Sequence, residues 1–193
     1  PHTNPQVLKT TFETQGDNLR QGWSHAWQDM QRQLDPSAPM DGDALYRPGI
    51  EVACTPGAVV HRNHLVELLQ YTPTTAQVQR EPVFIVPSWI MKYYILDLSP
   101  HNSLVRYLVD QGHTVYMLSW RNPDASDALL DMEDYLRLGV FNPLAVITER
   151  TGGVPIHAVG YCLGGTLLSI AAAALARDET MKDAQTLAPL ATL

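Results

Sequence analysis

A cysteine between two glycines, placed where one kind of secondary structure gives way to another, restricts the fold of this chain most strongly. The segment VPIHAVG (154–160) predicts a strand, and LGGTLLSIAAAALARD (163–178) predicts a helix that can be buried on most sides. Cys162 stands between them, with Gly160 and Gly164 two residues to either side. A strand that turns directly into a helix needs a bend too tight for side chains at both glycine positions. The stretch therefore predicts a sharp strand–helix elbow centred on Cys162.

The spacing alone leaves two interpretations of Cys162 open. In the first, the bend lifts the thiol above the sheet at the positive end of the following helix, where a thiolate is favoured. The backbone amide of Leu163 then points toward an oxyanion that forms on a bound acyl group. In the second, Cys162 is a small hydrophobic residue packed inside a glycine-rich turn. A thiolate nucleophile suits acyl transfer from thioesters, because the bond made resembles the bond broken.

Strand-like and helix-like segments alternate from residue 82 onward. The predicted strands are PVFIVP (82–87), HTVYMLSW (113–120) and 154–160, and the intervening helices are SLVRYLVDQG (103–112), ALLDMEDYLRLG (128–139) and NPLAVITERTG (142–152), the last with Asn142 as its cap and Gly152 just past its end. This alternation predicts an α/β fold whose mostly parallel sheet carries helices on both faces. Together with the elbow it predicts an α/β-hydrolase-like sheet, incomplete because the chain ends after the elbow helix.

The first part of the chain has a different character. Residues 17–34 place apolar side chains at spacings of three and four and predict an amphipathic helix, and residues 35–49 are rich in Pro, Gly and Asp and predict a loop. Residues 56–73 start as a strand, and their continuation fits a helix or an extended segment equally well. We therefore divide the chain into an amino-terminal helical and extended segment, 1–80, and the first part of a hydrolase-like core, 81–193.

Composition excludes several classes of function. The net charge of −7 comes without a basic stripe, which argues against a nucleic-acid surface. No apolar run approaches the roughly 20 residues that a bilayer span requires, and the start of the chain lacks the apolar stretch of a secretion signal. The two cysteines cannot form a disulfide framework. We expect a cytoplasmic protein with no membrane span, no nucleic-acid partner, no metal and no cofactor.

A cysteine nucleophile needs a base, and the sequence supplies none in the expected place. In the α/β-hydrolase fold the chain order is nucleophile, acid, histidine. All seven histidines precede Cys162. His157, on the strand that leads to the elbow, and His113, at the start of another strand, are expected to be structural. The chain therefore predicts the first part of a longer enzyme whose Asp and His come later.

Three long motifs resemble the polyhydroxyalkanoate synthases, most closely the class I type. They are TPGAVVHRNHLVELLQYTPTT (55–75), WIMKYYILDLSPHNSLVRYLVDQGHTVYMLSWRNPDAS (89–126) and HAVGYCLGGTLL (157–168), in the order that this family shows. The resemblance implies polymerisation of (R)-3-hydroxyacyl-coenzyme A into polyester with release of coenzyme A. It implies a Cys162 acyl-enzyme, and an oxyanion hole formed by the backbone amides of Leu163 and Ile95. It also implies a homodimer that associates with polyester granules in the cytoplasm.

Several residues need separate interpretation beside this resemblance. In PSWIMK, Ser88 and Met91 stand where the family usually has proline and asparagine, which leaves substrate preference at the mouth of the site open. Asp97 matches a family aspartate near the site, and it also fits a carboxylate that caps a turn or helix. Ser103 is better explained as a helix cap than as an acyl carrier. Cys54 is expected to be inert.

Two alternatives to the synthase remain. One is a cysteine-dependent hydrolase of the thioesterase kind, in which water accepts the acyl group. The other is a truncated, non-catalytic product, for which the missing histidine is an argument. The motifs between residues 56 and 124 favour the synthase, because a simple hydrolase needs none of them.

Overall fold

The structure is a computed structural model, and it describes residues 4–34, 46–177 and 190–192. The chain forms two compact units that divide between Leu45 and Tyr46. The first contains helix α1 (Pro5–Glu13) and helix α2 (Asp17–Leu34). Helix α2 has the bounds that the apolar spacing predicts, and the indoles of Trp23 and Trp27 are exposed along it.

The second unit is built on a six-stranded sheet with a separate small hairpin. The strands are β1 (Gly57–Arg62), β2 (Val66–Tyr71), β3 (Val83–Val86), β4 (Asp97–Ser99), β5 (Asn102–Ser103), β6 (Val115–Trp120), β7 (Ile156–Gly160) and β8 (Leu190–Thr192). The large sheet has the order β1-β2-β6-β3-β7-β8, and β4 pairs with β5. Strands β6, β3, β7 and β8 are parallel. The predicted α/β class with a mostly parallel sheet is confirmed.

The segment that the sequence left undecided, residues 56–73, is an antiparallel hairpin of β1 and β2. Strand β2 then pairs antiparallel with β6. The large sheet thus includes strands on both sides of residue 80, where we placed a boundary from the sequence. In β2, Val66 and Leu68 pack into the core on one face of the sheet, whereas Tyr71, three positions after Leu68, packs into the core on the other face.

The helices of the second unit cover both faces of the sheet. They are α3 (Leu104–Asp110), α4 (Met132–Leu136), α5 (Asn142–Thr151) and α6 (Leu163–Arg177). On one face, residues of α5 and α6 such as Ile147 and Leu167 pack with Phe84 and Leu118 of the sheet. On the other, Val105 of α3 packs with sheet residues such as Ile85 and Met117. Each such side chain contributes roughly 1.5–3 kcal/mol by leaving water.

The predicted helix at 128–139 is wrong in its extent. Asp131 caps a new start by accepting from the amides of Glu133 and Asp134, and α4 runs for only five residues. A turn of π-helix, Arg137–Phe141, then leads without a break into α5. Asn142 therefore has helical backbone and is not the cap that we predicted. Gly152 lies just past the end of α5, as predicted, and its backbone is left-handed.

Helix α3 begins at a side-chain cap. The hydroxyl oxygen of Ser103 accepts from the Arg106 amide at 2.8 Å, so the predicted helix-cap role of Ser103 is confirmed. Across the described ranges, none of the helices is both long enough and apolar enough to serve as a membrane span.

Candidate active site at the strand–helix elbow

The elbow has the sharpness that the sequence predicts. Strand β7 ends at Gly160 and helix α6 begins at Leu163, so two residues make the whole connection. Cys162 adopts φ 56°, a left-handed conformation that costs a non-glycine residue about 1–3 kcal/mol. Its side chain is exposed. The alternative of a buried, hydrophobically packed Cys162 does not fit this geometry.

The glycines at the elbow are required by close backbone approach. A Cβ on Gly160 would lie 2.3 Å from the Cα of Gly165. A Cβ on Gly164 would lie 2.0 Å from the carbonyl oxygen of Val86 and 2.6 Å from that of Pro87. The first glycine lets β7 approach its own helix, and the second lets α6 approach the end of β3. Without both contacts the turn could not hold this shape.

Hydrogen bonds fix the turn to the neighbouring strand. The Tyr161 amide donates to the Val86 carbonyl at 3.0 Å, and the Gly165 amide donates to the Cys162 carbonyl at 2.9 Å. The amide of Leu163 lies in the first turn of α6, where no residue of the helix can accept from it. The positive end of α6 and this amide, for which the described residues provide no acceptor, therefore adjoin the exposed thiol, an arrangement suited to negative charge on a bound oxygen.

The loop after β3 borders the same site, because β3 is the neighbour of β7 and both strands end at this edge. The Ile90 amide points to Ser88 Oγ at 3.4 Å, and the Met91 amide donates to the Ser88 carbonyl at 3.3 Å. For the amides of Ser88 and Trp89, no acceptor is found within the described residues. In the α/β-hydrolase fold this loop supplies the second oxyanion donor.

Ile95, which the family resemblance suggests as that second donor, is otherwise engaged. It lies in a single turn of 3₁₀-helix, Tyr93–Leu96, and its amide donates to the Lys92 carbonyl at 3.1 Å. This hydrogen bond would have to break before the Ile95 amide could stabilise an oxyanion.

Asp97 is buried, and the structure does not bring it to the elbow. Its carboxylate accepts from the Thr55 hydroxyl at 2.7 Å and from the Thr55 amide at 3.0 Å. Thr55 precedes Gly57, which pairs with Tyr71 at the end of the sheet where β6 begins. Cys162 follows the opposite end of the parallel strands. The geometry of Asp97 is that of a carboxylate that fastens a turn.

A cavity of about 400 Å³ lies beside Asp97 and is lined in part by Cys54 and Tyr71. The Cys54 thiol donates to the Ile50 carbonyl at 3.1 Å. Burial, and secondly the charge of Asp97, raise the pKa of Cys54, which keeps it protonated. The same two causes, in the same order, raise the pKa of Tyr71. The hydrogen bond to Ile50 and the raised pKa both support the expectation that Cys54 is inert.

Sequence reasoning missed a charged cluster at the end of β6. The buried Asp127 carboxylate lies 2.6 Å from His64 Nε2 and also contacts the Arg121 guanidinium. A hydrogen bond from the Asp124 amide, followed by those from His64 and Arg121, lowers the pKa of Asp127. The Asp124–x–x–Asp127 spacing of a capping box was the available signal.

Neither His64 nor His157 can serve as the base for Cys162 in this structure. His64 precedes β2, which lies three strand positions from β7, or about 14 Å at ordinary strand spacing. His157 lies on β7 itself, about 10 Å along the strand from its end at Gly160 at ordinary rise. Proton transfer needs about 2.6–3.2 Å between heavy atoms.

Among the described residues no cluster of potential ligands could hold a metal ion.

Comparison with known proteins agrees with this fold. The family model of the alpha/beta hydrolase fold matches residues 81–189. The family model described as the poly-beta-hydroxybutyrate polymerase (PhaC) N-terminus matches residues 2–108, more than half of the chain. The chain belongs to this polymerase family. The resemblance seen in the three sequence motifs is thereby confirmed at the level of the family, and the class I assignment stays a prediction.

Curated relatives of this chain carry the same family name. A poly(3-hydroxyalkanoate) polymerase of Methylorubrum extorquens is 43% identical over 87% of the chain, and a poly(3-hydroxyalkanoate) polymerase subunit PhaC of Cupriavidus necator is 43% identical over 90%. The chain spans only 28% and 29% of the lengths of these two proteins. A solved esterase B of Lactobacillus rhamnosis aligns with 93% of the chain and 55% of its own, at 16% identity and a TM-score of 0.47.

Proposed function

We propose that this chain carries the nucleophile of a polyhydroxyalkanoate synthase. The complete enzyme would polymerise (R)-3-hydroxyacyl-coenzyme A into polyester and release coenzyme A. One observation supports this above all: the exposed Cys162 side chain on a left-handed turn at the start of α6, in a chain of the polymerase family.

The chemistry follows from the elbow. The Cys162 thiolate attacks the thioester carbonyl carbon, and the carbonyl oxygen becomes an oxyanion that accepts from the Leu163 amide. The carbon–sulfur bond to coenzyme A then breaks, and coenzyme A leaves as a thiol after taking a proton. The acyl group remains on Cys162 as a thioester. The 3-hydroxyl of another unit attacks this thioester and gives up its proton as the ester bond forms, the carbon–sulfur bond to Cys162 breaks, and the Cys162 sulfur takes up a proton.

A second amide is needed to complete the oxyanion hole. The amides of Ser88 and Trp89 are free of described acceptors and lie on the loop that the fold uses for this purpose. Of the two, we favour Trp89, because the Pro87 carbonyl faces the elbow helix and the Ser88 amide of the same planar peptide points the other way. Ile95 fills this role only if its bond to Lys92 opens.

The remaining parts of the proposal come from the family. An aspartate and a histidine from the rest of the longer protein would activate the thiol and the incoming hydroxyl. Homodimerisation, a class I preference for short acyl chains and attachment to polyester granules in the cytoplasm belong to the same proposal.

The decisive experiment uses the full-length protein and 3-hydroxybutyryl-coenzyme A. We expect insoluble polymer, coenzyme A release and, after rapid quenching, a mass increase on the peptide that contains Cys162. Free 3-hydroxybutyrate without polymer would identify a hydrolase instead. Polymer made at the normal rate by a Cys162→Ala variant would disprove the nucleophile assignment. Sequencing the encoding DNA beyond codon 193 tests the non-catalytic alternative, since a stop there would favour it.

A further inference from the structure

Trp120 is the last residue of β6 and reaches across to the loop after β3. Its indole Nε1–H donates to the Pro87 carbonyl at 2.8 Å. Proline has no amide hydrogen, so the Pro87 nitrogen cannot anchor the loop by a hydrogen bond. The direction in which the loop leaves β3 therefore depends strongly on how this carbonyl is held.

The Pro87 carbonyl lies between the indole and the elbow helix. On its other side it approaches Gly164 so closely that a Cβ there would lie 2.6 Å from the oxygen. A peptide group is planar, so fixing the carbonyl also fixes the plane that leads into Ser88. The indole thereby sets the starting direction of the Ser88–Trp89 segment.

Trp120 also contacts the other end of that segment. The rings of Trp89 and Trp120 meet edge to face, with centroids 6.2 Å apart. Between the two contacts lies Ser88, which is fully buried. The peptide that joins Ser88 to Trp89, and with it the Trp89 amide, is thus held at both ends by one side chain.

The indole itself is prevented from moving. Gly139, in the π-helical turn, lies so close that a Cβ there would be 2.2 Å from the ring atom Cη2 of Trp120. Tyr135 stacks against the indole with centroids 5.7 Å apart. A ring enclosed in this way is a rigid support for a hydrogen bond.

We propose that Trp120 is a positioning residue for acyl transfer: it never touches substrate, and it aims the Trp89 amide at the oxyanion formed above Cys162. This inference rests on the proposed function. A displaced donor stabilises the transition state less, while it changes the binding of substrate little. We therefore expect the loss to show in the rate of acylation.

The test replaces Trp120 in the full-length protein by phenylalanine and, separately, by 3-benzothienylalanine, which keeps the bicyclic shape and lacks the N–H. We expect the first-turnover release of coenzyme A to slow by about tenfold, less than the loss from deleting an oxyanion donor outright. KM should stay within about twofold. Alkylation of Cys162 by iodoacetamide should keep its rate, because that reaction forms no oxyanion.

Ile147→Val is the matched control, since it removes one methylene from the same core without touching the loop. It should lower the melting temperature without slowing acylation. Full acylation rates in both Trp120 variants would overturn the proposal, as would a parallel loss of Cys162 alkylation, which would mean that the whole elbow had moved. The Cys162→Ala result decides the proposed function independently, because the nucleophile can be right while Trp120 has no such role.

Discussion

Two turns with left-handed backbone lie near opposite ends of the sheet in the second unit, and each is next to a cysteine. At the end where β7 stops, Cys162 itself has φ 56°, and its side chain is exposed. At the other end, Ala53 has φ 53°, and the thiol of the next residue, Cys54, donates to a backbone carbonyl. Each turn thus combines a cysteine with one left-handed residue, which is the cysteine itself at the elbow and the neighbouring Ala53 at the other end. What differs is the use of nearby donors.

Near Cys54 the backbone and side-chain donors are paired, whereas near Cys162 two backbone amides find no partner in the part of the chain that the structure describes. The Thr55 amide and hydroxyl both donate to Asp97, and the Ala53 amide donates to the Asp97 carbonyl. At the elbow, the amides of Leu163 and Trp89 have no acceptor among the described residues. Paired donors stabilise a fold, whereas unpaired donors beside an exposed nucleophile are available to a ligand. This difference separates a structural turn from a candidate site.

The largest expected effect is on chemistry at the two thiols. Cys162→Ala in the full-length protein should reduce acyl-enzyme formation by at least about 10³-fold, because the nucleophile is gone. Cys54→Ala should leave the rate within about twofold. Quenched-flow mass spectrometry with 3-hydroxybutyryl-coenzyme A measures both. Equal losses of acyl-enzyme formation in the two variants would contradict the assignment of Cys162 as nucleophile and of Cys54 as a structural residue.

The next largest effect concerns backbone approach at the elbow. Gly164→Ala should destabilise the protein by about 3 kcal/mol or more, because its Cβ would overlap the Val86 carbonyl oxygen. Gly152→Ala is the control: it has a left-handed φ of 69° but open space around it, so about 1 kcal/mol is expected. Urea unfolding compares them. Similar losses would show that the close approach to the Val86 carbonyl adds little to the cost at Gly164, and would contradict the role of this contact.

Asp97 tests the other end of the sheet. Asp97→Ala should cost about 2–3 kcal/mol, because the buried donors of Thr55 lose their acceptor. The acylation rate per folded molecule should stay within about twofold of the original. Asp97→Asn keeps an acceptor oxygen and should cost less in the same unfolding assay. A large fall in the acylation rate without a loss of stability would indicate that Asp97 takes part in the reaction and would contradict this structural role.

The smallest effect is a shift in the pH dependence of Cys54 labelling. Because burial and then the charge of Asp97 raise the Cys54 pKa, iodoacetamide should react slowly until the pH exceeds the ordinary thiol range. A thiol whose folded pKa is raised contributes stability below its unfolded pKa and loses that contribution as the pH rises through the folded value. In a Cys162→Ala background, Asp97→Asn should move the labelling curve to lower pH. An unchanged curve would remove Asp97 from the explanation.

Local signals predicted the central part of the fold well. The strands that became β3, β6 and β7 are short apolar runs bounded by turn residues, and the elbow glycines lie next to the residue they serve. The hairpin at 56–73 was left undecided because its apolar residues fit the two-residue period of a strand as well as the 3.6-residue period of a helix. Its strand form is set by pairing with β6, about fifty residues later in the chain.

The parts that the sequence did not predict depend on distant contacts. Asp97 meets Thr55 across 42 positions, and His64 meets Asp127 across 63. The pairing of the Ile95 amide with Lys92 follows from one 3₁₀ turn that no residue type demands. Gly139 looked like the end of a helix, whereas the structure uses it to make room for Trp120.

The left-handed turn at Cys162 has a consequence for how this scaffold could change its chemistry. The glycine contacts and the bonds to β3 hold the main chain in place, and none of them involves the sulfur atom. The backbone at position 162 can therefore keep its shape with any small side chain that tolerates the left-handed conformation. A lineage could exchange a thiol for a hydroxyl there, and so move from thioester to ester substrates, while the surrounding sheet stayed as it is.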